Sequence, residues 1–245
     1  MNNYFKHLVI VDSIDSTNKE LKKDQYNLYD NYVLIAKEQT NGHGRLTRTF
    51  VSNKDVGLYM SIRIKPNIEI DRLNNITCVI CAIVCKSLEK QLNVPIDIKW
   101  VNDLYINSLK VAGILVESKI NFNTNKFDYL VIGIGINLYN QEFDETLKNI
   151  ASSIQKETGV KLDKNLLIED ILNELSSYLK DYNSFEYMKY YISRSFIIGK
   201  KIKLQTSLEL IDCEVIDINY SGELIVKYQN SLKTINSAEI IKTYI

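Results

Sequence analysis

Proline and glycine are scarce in this chain, with two and nine in 245 residues, so no long flexible or proline-rich linker separates its parts. Net charge is also missing. Thirty basic residues cancel thirty acidic ones, which removes the long-range field expected of a nucleic-acid or membrane-surface binder. Any phosphate must therefore be bound locally. No apolar run approaches the roughly 20 residues that a membrane helix needs. The first residues, MNNYFKHLVIVDS, contain a run too short and too β-branched for a secretory signal, so a cytoplasmic location is expected. Histidines number two and cysteines four. Cys78, Cys81 and Cys85 share one face of an apolar helical segment, and with only His7, His43 and distant Cys213 to complete a site they read as core residues rather than zinc ligands.

What is present is a succession of short apolar runs. Residues 5–11 and 32–37 read as strands, and Ser16 between them as the N-cap of a helix through Asn18, Glu20 and Leu21. GLYMSIRI at 57–64 is a third strand. The polar segment 38–55 before it is too long for a turn and is expected to be a functional loop. The cysteine helix follows, then a hairpin turning at Asn107-Ser108, then the strand FDYLVIGIGINL at 127–138. Residues 163–192 are helical by period, with Leu166, Leu167, Ile171, Leu175 and Leu179 as the core stripe. From about Ile197 the pattern changes to the short strands KKIKLQ, LIDCEVIDIN, ELIVKYQ and LKTINS, which read as a small β barrel. The expected fold is α/β (α+β), a mixed sheet flanked by helices over 1–194 followed by a small barrel over 195–245.

Lys99 and Lys110 stand in strongly apolar, strand-like surroundings. A lysine moved into such an interior is costly unless an anion meets it, and the hairpin would let both face one cleft. Gly42-His43-Gly44-Arg45-Leu46-Thr47-Arg48 offers backbone amides beside two forked cations, a pattern suited to carboxylate or phosphate oxygens. It is not a P-loop, since no Gly-Lys-Ser/Thr follows. Gly133 and Gly135 alternate along one strand and strip one of its faces of side chains, which fits the close approach of a ligand or another backbone. Together with Gly42, Gly44 and Gly113 they make five of the nine glycines, concentrated in three segments.

Taken in order, Ser16-Thr17-Asn18, Gln39 ahead of GHGRLTR, LYMSI, KWVNDLY, KVAGILVE and IGIGIN resemble the catalytic domain of the biotin protein ligases, also called biotin acetyl-CoA-carboxylase ligases. KWxND followed by KxxGIL is the most specific part. The match runs from residue 8 to 138, and the terminal barrel agrees with the family's SH3-like C-terminal domain. The resemblance implies a class II synthetase-like catalytic domain. With the first motif at Ser16, it also implies a monofunctional ligase without the winged-helix DNA-binding domain of bifunctional members.

The implied reaction has two steps. Biotin and MgATP give biotinyl-5'-AMP and pyrophosphate, and a lysine of a biotin carboxyl carrier domain, in a carboxylase or decarboxylase, then attacks the mixed anhydride. By motif position Lys110 would contact the carboxylate and the transferring phosphate, and Arg45 would hold the intermediate; these are the expected catalytic residues. Ser16, Thr17, Asn18 and Gln39 would hydrogen-bond biotin, with Gly42, His43, Gly44, Gly113, Gly133 and Gly135 shaping its pocket. Arg48, Phe50, Lys99, Asn102, Asp103 and Asn137 would serve ATP, Asp103 also holding Mg²⁺. A monomer or a homodimer is compatible with the resemblance.

Three positions depart from the family loop, commonly GRGRxGR and often followed by a tryptophan. His43 replaces an arginine and implies a steeper pH dependence of adenylate retention, because histidine changes charge in the physiological range. Thr47 replaces a glycine and would stiffen the loop. Phe50 stands at the aromatic position and can still stack on adenine. Two rivals share the pattern: a lipoate protein ligase, which needs no urea partners, and a biotin-binding sensor without turnover, against which intact Lys110, Asn102 and Asp103 argue.

Overall fold

A computed structural model describes residues 4–244, apart from the side chain of Thr47, so the stiffening expected of Thr47 lies outside the described residues. Seven strands form a mixed sheet: β1 (Leu8–Ile14), β2 (Asn31–Gln39), β3 (Gly57–Ile64), β4 (Asp97–Lys99), β5 (Asp103–Ile106), β6 (Leu109–Asn121) and β7 (Lys126–Asn137). Their spatial order is β1-β2-β3-β7-β6-β5-β4. Only β1 and β2 pair in parallel. Between β5 and β6 the chain turns at Asn107 and Ser108, both at positive φ (50° and 66°), as a two-residue hairpin turn demands.

Side chains alternate across each strand, so the sheet has two characters. One face, with Leu58, Met60, Ile62, Ile132, Ile134 and Ile136, joins the main core under helix α2 (Ile76–Glu89). The three cysteines of α2 are buried there as small apolar residues, and burial pushes the Cys78 thiol up to about 12. The other face carries the one-turn helix α1 (Thr17–Leu21), capped by Ser16, whose Oγ accepts from the Lys19 amide. On this face the register aligns three rows across β3, β7 and β6: Tyr59, Gly135, Gly113; Ser61, Gly133, Leu115; and Arg63, Val131, Glu117.

Past β7 come α3 (Ile154–Thr158), α4 (Lys164–Asp181) and α5 (Phe185–Arg194). The single helix expected over 163–192 is thus two. The break lies at Tyr182, whose φ is 54°, and the polar side chains around it compete for the backbone: Asp181 accepts from the Asn183 amide and Asn183 from the Phe185 amide. Leu166, expected in the stripe, is 47% exposed in the first turn; Leu167, Ile168, Ile171, Leu172, Leu175 and Leu179 form the buried face. The first strand also starts later than expected, at Leu8, because its register is set by pairing with Val33 to Gln39.

The remaining strands, β8 (Lys201–Gln205), β9 (Leu210–Ile218), β10 (Leu224–Tyr228), β11 (Ser231–Ile235) and β12 (Glu239–Thr243), make a five-stranded antiparallel sheet in the order β11-β10-β9-β8-β12. β12 has no counterpart among the expected strands. The joint between the sheets is tight. Ser195 bridges Ile98 of β4, and the Trp100 indole N–H donates to Gly222 O at 2.9 Å. Among the described residues no helix is long and apolar enough to cross a membrane.

Candidate active site

One cavity of about 940 Å³ opens on the α1 face of the large sheet. Every site residue expected from the sequence lines it except Gly42. Gly42 lies behind the wall, where a Cβ would come within 2.6 Å of Phe50 O and 2.7 Å of Ser52 Oγ. Its role is to let the loop close on itself: Phe50 N donates to Gly42 O and Gly44 N to Arg48 O, making a narrow hairpin with Arg45 to Thr47 at its tip.

One end of the cavity is neutral and internally bonded. Gln39 Oε1 accepts from the Thr17 amide at 2.8 Å and from its hydroxyl at 3.0 Å, while Gln39 Nε2 donates to Ser52 Oγ. Ser61 Oγ lies 2.7 Å from Thr17 Oγ1 and 2.6 Å from Asn18 Oδ1. Asn18 Nδ2 donates to Glu117 Oε2 at 3.0 Å and to Leu115 O at 3.4 Å. The Asn18 carboxamide is therefore largely satisfied by protein. It also fills the space above Gly133, where a Cβ would meet Asn18 Oδ1 at 2.3 Å. Phe50 fills the space above Gly135 in the same way, with a ring carbon 2.7 Å from where a Cβ would stand. What comes close over the paired glycines is thus two side chains of the protein, where the sequence led to a ligand or another backbone. His43 sits at this end, with Nδ1 3.5 Å from Ser16 Oγ.

The other end is cationic. Lys110 Nζ lies 2.6 Å from Asp103 Oδ1, a close ion pair not aligned as a hydrogen bond. Gly113 makes room for it, since a Cβ there would stand 3.3 Å from Lys110 Nζ. The Lys110 backbone is clamped as well: its N–H donates to Ile150 O, and its carbonyl accepts from Ser152 N. Burial lowers the Lys99 ammonium below the ordinary lysine value, and the neighbouring positive charges of Lys110 and Arg48 act in the same direction against the opposing effect of Asp103.

Three cations at this end lean on the first two residues of strand β12 and the residue before it. Arg45 Nη2 reaches Ala238 O at 3.4 Å, Arg48 pairs with the Glu239 carboxylate, and Lys99 Nζ reaches Ile240 O at 3.4 Å. Asn102 Nδ2 donates to Ile114 O. Asn137, 4% exposed, donates to Ser152 O and keeps a buried Oδ1 without a partner.

The sequence profile of the biotin/lipoate A/B protein ligase family matches residues 10–137, more than half of the chain. The chain belongs to that family. Its similarity to the Bacillus spizizenii bifunctional ligase/repressor BirA is 29% identity over 241 residues, covering 96% of this chain and 74% of that protein. For the Escherichia coli BirA the identity is 28%, covering 95% and 73%. Among solved structures, the biotin protein ligase of Aquifex aeolicus in complex with biotin and ATP superposes with a TM-score of 0.80 at 28% identity, covering 95% of this chain and 97% of that one. The matched segment of this family member contains α1, the glycine loop, both lysines and the glycine strand.

Four parts of the site have no role assigned in the sequence reading, although Tyr59, Ser61 and Glu117 lie within its motifs. Ser61 and Glu117 brace Asn18, Tyr59 holds the loop by donating to Asn53 O at 2.9 Å, Ala238 to Ile241 close the cationic end, and Phe143, Asp144, Thr146, Leu147, Ile150 and Ala151 line the wall beside Lys110. For Ser61 and Glu117 the signal was available, because each is a polar residue inside an apolar strand. For β12 there was none, since its partner β8 lies far away in sequence.

Proposed function

We propose that this ligase activates biotin with ATP to biotinyl-5'-AMP and passes the biotinyl group to a lysine of a biotin carboxyl carrier domain. One observation carries the reading. A single cavity pairs a neutral hydrogen-bonding end, suited to an uncharged urea, with a cationic end, suited to a carboxylate and a phosphate that repel each other.

In the first step a biotin carboxylate oxygen attacks the α-phosphorus, the new O–P bond replaces the α–β bridge, and pyrophosphate leaves. Lys110, Arg45, Arg48 and Lys99 offset the charge of both anions and hold them in contact, which removes the entropic cost of an encounter between like charges. Lys110 and Arg45 are assigned as catalytic residues. Lys110 would exchange Asp103 for the ligand oxygens. Ser16, Thr17 and Gln39 bind the urea, with His43 and Gly44 on the adjoining wall; Phe50 and Asn102 line the nucleotide side, and the unpartnered Oδ1 of Asn137 is an acceptor for an adenine amine or ribose hydroxyl. In the second step the carrier amine attacks the acyl carbon, loses a proton and expels AMP.

Mg²⁺ accompanies ATP in this chemistry and supplies further charge neutralisation. No group of three or more His, Cys, Asp or Glu among the described residues could hold a metal. The buried Oδ1 of Asp103, without an aligned donor, fits an ion whose other ligands are phosphate and water oxygens. We further assign 1–194 as the catalytic unit and 195–245 as a second, smaller unit that supports the nucleotide end, in a cytoplasmic protein.

The test is to supply labelled ATP with biotin or with lipoate and to measure pyrophosphate release and transfer to a carrier fragment. Release and transfer with biotin are expected. Activity with lipoate alone would identify the other ligase of this family, and biotin binding without release would identify a sensor.

A further inference from the structure

Among the described residues Arg63 is the largest fully buried side chain, at 0% exposure, and the hydrogen bonds it makes there include none to a carboxylate. Its guanidinium donates through Nη1 to Leu21 O and, at 3.4 Å, to Lys23 O, and through Nη2 to Asn27 Oδ1. Its face lies 3.9 Å from the centre of the Tyr129 ring. Burying a cation on neutral acceptors is costly where an apolar residue of similar volume would pack. What it gains is a grip on the chain just past α1.

Across Val131 in the same row of the sheet stands Glu117. Its Oε2 accepts from Asn18, and its Oε1 pairs with Lys22 Nζ at 2.7 Å. Burial pushes the Glu117 carboxyl up, but the hydrogen bonds from Lys22 and Asn18 and the Lys22 charge outweigh it and hold it below its usual value. The two groups therefore hold α1 from both sides, Arg63 by its carbonyls and Glu117 by its side chains. A one-turn helix cannot hold its own geometry. Neither Arg63 nor Glu117 lines the cavity.

We propose that Arg63 and Glu117 are positioning residues for biotin recognition, fixing Ser16 and Thr17 through α1 without touching the ligand. The proposal rests on the reading that α1 meets biotin, and it assigns these residues to one substrate of the two. The nucleotide end is anchored elsewhere, on β12 and on residues 150–152, so their loss is expressed in biotin affinity and spares ATP.

The experiment measures KM for biotin and for ATP separately, with kcat, by biotin-dependent pyrophosphate exchange in the full-length protein carrying Glu117→Ala, Glu117→Gln or Arg63→Met. Glu117→Ala is expected to raise the biotin KM about tenfold with the ATP KM and kcat within twofold of wild type, the loss of about one charged hydrogen bond. Glu117→Gln, which can still accept from Asn18, should recover much of the affinity. Equal rises in both KM values, a fall in kcat at unchanged KM, or no change would overturn the proposal. Glu117 is only partly buried, so its variants carry the test if Arg63→Met does not fold. The wild-type assay alone tests the biotin reading, whereas the ratio of the two KM changes tests the positioning role.

Discussion

The two ends of the cavity are built on opposite plans. At the neutral end Thr17, Asn18, Gln39, Ser61 and Glu117 hydrogen-bond one another over three strands and a helix, so the geometry is complete before a ligand arrives. At the cationic end Arg45 and Lys99 rest on backbone carbonyls at 3.4 Å, and Arg48 on a carboxylate of the second sheet. Four cations line the cavity with three carboxylates, Asp103, Asp144 and Glu239. A neutral urea gains from donors and acceptors already fixed in place, whereas a triphosphate can displace weak partners and take over their cations. Shape is fixed at one end and charge is held in reserve at the other.

The largest expected effect comes from the junction of the two ends. Lys110→Ala should lower adenylate formation by about 100- to 1000-fold with an unchanged circular-dichroism spectrum, the scale of losing one group that stabilises developing charge. Pyrophosphate exchange reads it, and normal turnover would remove Lys110 from the mechanism. Next is the preformed end. Gly133→Ala forces a methyl group into the Asn18 carboxamide, and overpacking of about 1–3 kcal/mol should raise the biotin KM about 10- to 100-fold while sparing ATP. An unchanged biotin KM would mean that α1 is free to shift, and the contrast between the ends would fail.

Lys99→Met tests the reserve of charge. Because the folded protein holds this lysine below its ordinary value, the folded state binds its proton less readily than the unfolded chain does, and its charge costs stability below the unfolded value. Removing it should raise the melting temperature of the free protein by about 2–4 °C per kcal/mol recovered while weakening ATP. A lower melting temperature would show that the Ile240 carbonyl suffices for this charge. The smallest effect is expected at His43, which lies beside Ser16. His43→Arg, which adds a fixed cation at this end of the cavity, should slow biotinyl-adenylate dissociation a few-fold, and an unchanged rate would place His43 outside adenylate retention.

The sequence carried much of this structure where the signal was local. The turn at Asn107-Ser108, the strand at 57–64 and the cap at Ser16 each follow from a few adjacent residues. Motif order brought together residues from β2, β5, β6 and β7 that now line one cavity. What escaped was non-local. β12 is recognisable only by pairing with β8, and the Asp181 to Phe185 break depends on side chains bonding their own backbone against an otherwise helical period. Arg63 shows a different kind of omission. A charge in an apolar strand reads as a sign of function at Lys99 and Lys110, and the same sign at Arg63 marks the support beneath α1 and the neutral end.

The most direct measurement is a crystal structure with biotin and a non-hydrolysable ATP analogue. The account predicts that Lys110 Nζ leaves Asp103 and stands within hydrogen-bond distance of both the biotin carboxylate and the α-phosphate, with α1 unmoved. Lys110 still paired with Asp103 and distant from both anions would contradict it.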